Sequence, residues 1–318
     1  MKSLNKIVNK IITRSNSSIS VQTKKFPCKI KDHSLVHYHI KNEYADYTKI
    51  SELQLSKLNE FLLWYRKNPL LKLNELKKTN INEYNRIMSL KPKPTIISMQ
   101  FNPVYTAGKK FMKTVSNPQK LSEPYRNFIP PSKTMLDPKI DINLKHQSTV
   151  IAPTFELINR GGKITFHGPG QLVMYFIFDL KDFLNLDIKK YISLLESTLK
   201  DVTKTKGLEC VNYNDEVGIF IKNENEEKTK KLASIGINLQ KLVTSHGISM
   251  NLNNNLSYLN TFEMCGLGNL KQTSIFNETG EISNVENVAK DVVKRINSQL
   301  GTLKIDYKKI DQNELLNL

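Results

Sequence analysis

The string RGGKITFHGPGQ at residues 160–171 constrains this chain more than any other feature. Four glycines and a proline in twelve residues demand backbone angles or close approaches that a Cβ would obstruct. Arg160 adds a fixed charge and His167 a titratable ring. Gly161–Gly162 alone would make an ordinary tight turn, but the whole string reads as a loop that cradles a ligand. Three more stretches follow it in sequence. KKLASIGI at residues 230–237 alternates as a strand with small residues at its middle, and glycine weakens a strand unless something packs close. On composition alone, Lys231 is one exposed lysine among many. HGISMN at residues 246–251 marks either a pocket edge or a turn into a strand. MCGLG at residues 264–268 leaves Cys265 sterically open, although a free cysteine is more often a buried small hydrophobe than a nucleophile.

The pattern around these stretches is that of an α+β fold, with strands, helices and further strands out of strict alternation. Alternation predicts strands at 95–101, 163–166, 172–179, 217–222, 231–239 and 247–252. Apolar stripes predict helices at 51–66, with Ser51 and Gln54 as a capping box, and at 187–206, with Asp187 as cap and Gly207 as stop. A third helix, opened by a Ser283/Glu286 box, runs to about Leu300. Residues 67–94, polar and Lys/Asn-rich, read as a connector or insertion, and residues 113–149, with five prolines, as a long loop or second insertion.

The formal charge of +17 suggests nucleic-acid binding until it is divided along the chain. Eight basic side chains and no acid fall within residues 1–31. Lys2, Lys6, Lys10 and Arg14 share one helical face, Leu4, Ile7, Val8, Ile11 and Ile12 the other, and a Ser/Asn run follows. Basic, amphipathic, Ser-rich and acid-free is the composition of a mitochondrial transit peptide, here assigned to residues 1–30. Residues 31–318 are then one catalytic domain with insertions near 67–94 and 113–149. No aromatic residues interleave with the basic ones, so no nucleic-acid partner is expected, and no apolar run is long enough for a membrane span. Three cysteines without close spacing argue against a disulfide framework and a zinc site. The His37/His39 pair reads as part of a surface loop.

Together with FNPVYTAGK at residues 101–109, and in this order and spacing, the four stretches resemble the octanoyltransferases of lipoate synthesis, the lipoyl(octanoyl) transferases. The resemblance runs from about Pro94 to Lys271 and omits both chain ends and the two insertions. It implies a mixed sheet with flanking helices, resembling the catalytic core of biotin and lipoate protein ligases. It implies transfer of an octanoyl group from octanoyl-acyl carrier protein to a lysine of lipoyl-domain proteins of the 2-oxoacid dehydrogenase and glycine-cleavage types. It implies a reaction that needs no cofactor and no metal and passes through a thioester on Cys265, with Lys231 beside it. The substrate pocket would be lined by Arg160, Gly161, Gly162, Lys163, Ile164, Thr165, Phe166 and His167. Ser234, Ile235, Gly236, Gly247, Ile248 and Ser249 would complete it. Phe166 stands where the family commonly has tyrosine, and Met264 where it commonly has proline. The alternative is an ATP-dependent lipoate–protein ligase, which shares the fold but needs no nucleophilic cysteine.

Overall fold

The computed structural model describes residues 26–30, 33–114, 118–130, 152–213, 216–222, 229–262 and 270–314. The basic segment read as a transit peptide lies almost wholly outside them, as do most of residues 113–149 and the stretch holding Cys265.

The chain opens with strand β1 (Ser34–Ile40), then helices α1 (Tyr47–Lys67), α2 (Leu70–Thr79) and α3 (Ile81–Ser89). Strands β2 (Thr95–Met99), β3 (Val104–Ala107), β4 (Thr154–Leu157), β5 (Ile164–His167) and β6 (Gln171–Ile177) follow. Next come α4 (Ile188–Thr205), β7 (Cys210–Val211), β8 (Ile219–Ile221), β9 (Lys230–Gln240) and β10 (Val243–Asn251). Helix α5 (Val285–Gln299) and β11 (Lys304–Ile310) close it. One mixed sheet has the order β11-β1-β2-β6-β10-β9-β8-β7, and a small second sheet the order β4-β3-β5. Strand β1 is parallel to β2 and β11, while β6, β8, β9 and β10 pair antiparallel. Both faces of the large sheet are covered, so the period-two alternation of β6 feeds two cores. Leu172, Met174 and Phe176 pack with residues of α4 and α5, such as Leu195 and Val292. Val173, Tyr175 and Ile177 pack with Ile50, Leu53, Leu58 and Phe61 of α1. Burying each such side chain contributes about 1.5–3 kcal/mol.

Helix α4 forms where expected, with the Asp187 carboxylate accepting from the Lys190 N–H and Gly207 left-handed at φ 74°. Two capping assignments are corrected. Helix α1 begins at Tyr47 because Asp46 accepts from the Lys49 N–H, so Gln54 is not a cap residue; its buried Oε1 accepts from the His246 N–H. Helix α5 is capped by Asn284, which accepts from the Asn287 N–H, and Glu286 instead contacts Lys290, Tyr307 and Lys309. Within residues 67–94 the polar composition hides two helices. Asn80 stops α2 and caps α3, its side chain accepting from the Glu83 N–H. Lys91 ties this insertion to the core through buried ion pairs with Asp179 (2.6 Å) and Asp182. At the start of 113–149, short helices span Lys109–Thr114 and Pro118–Arg126.

The His37/His39 pair is not on a surface loop. Both rings are buried in β1, between two parallel neighbours, and the Ser98 hydroxyl lies 2.8 Å from each. Parallel strands are covered on both faces, which removes the polar alternation that would have marked this one.

Candidate active site

Arg160 shapes the Gly-rich loop from inside. Its guanidinium donates to the carbonyls of Gly161 (2.8 Å) and Lys163 (3.1 Å), and to the Thr106 carbonyl (2.9 Å) and hydroxyl (2.8 Å). A planar fork of donors suits such a set of carbonyls better than a point charge does. The Gly161 N–H reaches the Ile237 carbonyl, which docks the loop on β9.

Between this loop and strands β6, β9 and β10 lies a cavity of about 550 Å³, within the range of small-molecule sites. Arg160, Gly161, Gly162, Lys163, Thr165 and His167 line it from the loop and β5. Lys231, Ser234, Ile235 and Gly236 line it from β9, and Gly247, Ile248 and Ser249 from β10. Two expected residues do not face it: Ile164 and Phe166 point to the other side of β5 and pack with Tyr105, Phe155 and Tyr258. Alternation along a strand requires that split. Phe166 stacks on Tyr258 with ring centroids 4.5 Å apart. Gly247 serves strand packing as well as the cavity, since a Cβ there would come within 2.3 Å of the Met174 carbonyl.

Lys231 is delivered by a β-bulge. Ile219 pairs with Ala233, but Phe220 pairs with Lys231, with the register shift between them. The bulge places Lys231 on the face of Phe220, opposite Ile219 and Ile221, which belong to the helix-side core. Re-aiming a side chain next to a site is a recurrent use of bulges. The ammonium is buried, 5.1 Å from the Phe220 ring centroid and 3.5 Å from the Val217 carbonyl. Among the described residues no carboxylate lies within ion-pair distance of it. Gly218 makes the room: at φ 141° it takes a conformation side chains avoid, and a Cβ would sit 3.0 Å from Lys231 Cε.

Cys265 lies outside the described residues, but both flanks of its segment are fixed. The Asn260 side chain accepts from the Gln272 N–H (2.7 Å) and donates to the Gln272 carbonyl (3.0 Å), tying the two flanks together. The returning chain runs beside Lys231: the Lys231 N–H donates to the Lys271 carbonyl, and the Thr273 N–H to the Lys231 carbonyl, each at 2.9 Å.

Val173, Tyr175 and His246 are among the lining residues that were not in the expected set. The first two follow from the alternation of β6. His246 is at φ 58°, a distortion with no local sequence signal. Its ring is edge-on to Tyr175, with centroids 5.5 Å apart. Burial pushes its pKa down to about 3, helped by the charge of Arg160. Burial also pushes His167 down to about 4, with the Gln171 hydrogen bond opposing and Arg160 adding. Both rings are neutral near pH 7. No group of three His, Cys, Asp or Glu side chains among the described residues could hold a metal ion.

The Gly-rich loop, the buried lysine and the cavity residues named above all lie in the part of the chain that matches a catalytic domain of the lipoyl protein ligase type. The lipoyl protein ligase A/B catalytic domain model matches residues 154–297. The mitochondrial octanoyltransferase of Saccharomyces cerevisiae is 36% identical over 243 residues, covering 73% of this chain and 68% of that protein. That of Kluyveromyces lactis is 35% identical over 237 residues, covering 71% of this chain and 65% of that protein. This chain belongs to the octanoyltransferase family. It is an acyltransferase, and it is mitochondrial, as these relatives are. A solved lipoate-protein ligase A bound with ATP aligns over 90% of this chain and 93% of its own at 12% identity, with a TM-score of 0.47.

Proposed function

We propose that this enzyme carries an octanoyl group from octanoyl-acyl carrier protein to a lysine of lipoyl-domain proteins, in the 2-oxoacid dehydrogenase and glycine-cleavage systems. The carrier is a thioester on Cys265. The observation that carries the reading is Lys231, an ammonium buried at the cavity with no carboxylate partner among the described residues. It lies beside the chain that leads back to Cys265. Cys265 precedes Lys271 by six residues, so an extended chain reaches at most about 20 Å from that anchor.

A free thiol has a pKa near ~8.5, so little is thiolate at neutral pH. As an ammonium Lys231 would stabilise the Cys265 thiolate, and as a neutral amine it would take the thiol proton. Sulfur then bonds to the thioester carbonyl carbon, and the carrier's thiol departs. In the second half the acceptor lysine displaces Cys265 and keeps the acyl group as an amide. The loop residues 160–163, with Thr165, His167, Ser234, Ile235, Gly236, Gly247, Ile248 and Ser249, form the acyl pocket. Ile164 and Phe166 hold its wall from behind. Each CH₂ buried there contributes about 0.8 kcal/mol. The basic segment assigned to residues 1–30 acts as the import signal, trimmed to the part ahead of the buried Phe26.

The test is an ATP-free assay with octanoyl-acyl carrier protein and a lipoyl domain. Octanoylation of the domain without ATP is expected, and Lys231→Ala is expected to slow it at least ~100-fold. Dependence on ATP and free octanoate would instead make the enzyme a ligase.

A further inference from the structure

His167 is buried against the cavity, and its Nδ1 lies 2.7 Å from Gln171 Oε1. Which ring nitrogen carries the proton follows from the partners of Gln171. Its Nε2 donates to the Phe166 carbonyl (3.2 Å) and to Asn251 Oδ1 (2.8 Å). Asn251 is oriented in turn by its Nδ2, which donates to the Thr273 carbonyl at 2.9 Å. A backbone carbonyl can only accept, so both amides are fixed independently, one by Phe166 and one by Thr273. Reversing either would set oxygen against oxygen in a buried site, where an unpaired acceptor is costly. Gln171 therefore offers His167 an oxygen, and the neutral ring must carry its proton on Nδ1. The other nitrogen, Nε2, has no partner among the described residues, and the ring lines the cavity.

We propose that His167 presents an unprotonated Nε2 as the acceptor that holds one N–H of the incoming lysine amine, with Gln171 and Asn251 as positioning residues that fix its tautomer. This inference rests on the transfer reading above and adds the group that orients the second half-reaction. The amine nitrogen bonds to the acyl carbon while the C–S bond breaks. Of the two hydrogens on that nitrogen, one leaves and ends on the departing Cys265 sulfur, restoring the thiol. The other stays in the product amide, and that is the one His167 holds. The ring thereby turns the nitrogen lone pair toward the acyl carbon, a contribution of orientation. The same hydrogen-bonded chain ends on the Thr273 N–H that donates to the Lys231 carbonyl, so the acceptor and the lysine share one frame.

Two measurements test this. In histidine-¹⁵N-labelled enzyme, multiple-bond ¹H–¹⁵N correlation should show His167 protonated at Nδ1. Gln171→Leu, which removes the acceptor opposite Nδ1, should release a tautomer mixture. An Nε2-protonated ring in the wild-type enzyme would overturn the proposal. In single-turnover kinetics, His167→Leu should slow transfer to a lipoyl domain at least about tenfold more than it slows loading from octanoyl-acyl carrier protein. His167→Gln, which can place an oxygen near the Nε2 position, should recover part of that difference. Equal loss in both halves, or greater loss in loading, would also overturn it. A wild-type enzyme that never loads would sink the transfer reading and this inference with it, whereas one that loads but carries the ring proton on Nε2 would sink this inference alone.

Discussion

At the scale of single residues, the site depends on Lys231 reaching the cavity side of its sheet. The KKLASIGI string showed that a lysine opens this strand, but not which way it points. A strict alternation with Ala233 would put Lys231 toward the helix-side core. The register shift beside Ile219 turns it the other way, and Gly218 leaves the space it fills. Neither device has a strong sequence signal, because one glycine ahead of three apolar residues is also how an ordinary strand begins. Gly218→Ala is therefore a sharp test. Its Cβ would meet the Ala233 carbonyl at 2.7 Å and Lys231 Cε at 3.0 Å, on a backbone at φ 141°. The substitution is expected to cost about 1–3 kcal/mol of stability in urea unfolding and to lower turnover in the variant molecules that remain folded. Wild-type values of both would mean that Gly218 does not position the lysine.

Among elements, those built from one dense local pattern were legible, and those defined by distant partners were not. Strands β6, β9 and β10 and helix α4 show clean periodicity, and the Gly-rich loop is a local string. Strands β1 and β11 escape because they are parallel neighbours from opposite ends of the chain, one carrying two histidines and the other three lysines and an aspartate. Burying those histidines makes the fold sensitive to acid. Desolvation holds His37 at about 3, with the neighbouring His39 adding to the shift. An unfolded histidine titrates near ~6.5, so the unfolded chain binds protons first as pH falls. The neutral ring's contribution is full above pH ~6.5 and is lost progressively as pH falls toward the folded value. Each such histidine costs at most ~1.4 kcal/mol per pH unit across that window. Urea midpoints measured from pH 7 down to 4 should fall, and His37→Asn should flatten the slope. A parallel slope in that variant would show that His37 is not among the groups responsible.

For the whole molecule, residues 26–30 pack with the catalytic domain, so the proposed import signal is shorter than the composition suggests. Phe26 and Ile30 are buried, the Phe26 N–H donates to the Gln299 carbonyl, and Cys28 bridges to Phe183. Composition could not separate these residues from the basic segment, because Lys24, Lys25, Lys29 and Lys31 continue it without a break. Cleavage of the import signal is thus expected ahead of Phe26. A chain starting at Val21 should match the stability of the full-length protein. One starting at Lys31 should lose about 3–6 kcal/mol from the two buried side chains, read from urea unfolding. Equal stability of the two would place residues 26–30 outside the domain. The central claim, an acyl group carried on Cys265, is tested most directly by intact-mass measurement after incubation with octanoyl-acyl carrier protein. The account predicts a mass increase of one octanoyl group, lost on adding a lipoyl domain and absent in Cys265→Ser. A stable increase that survives in Cys265→Ser, or octanoylation of the lipoyl domain by that variant at the wild-type rate, would contradict it.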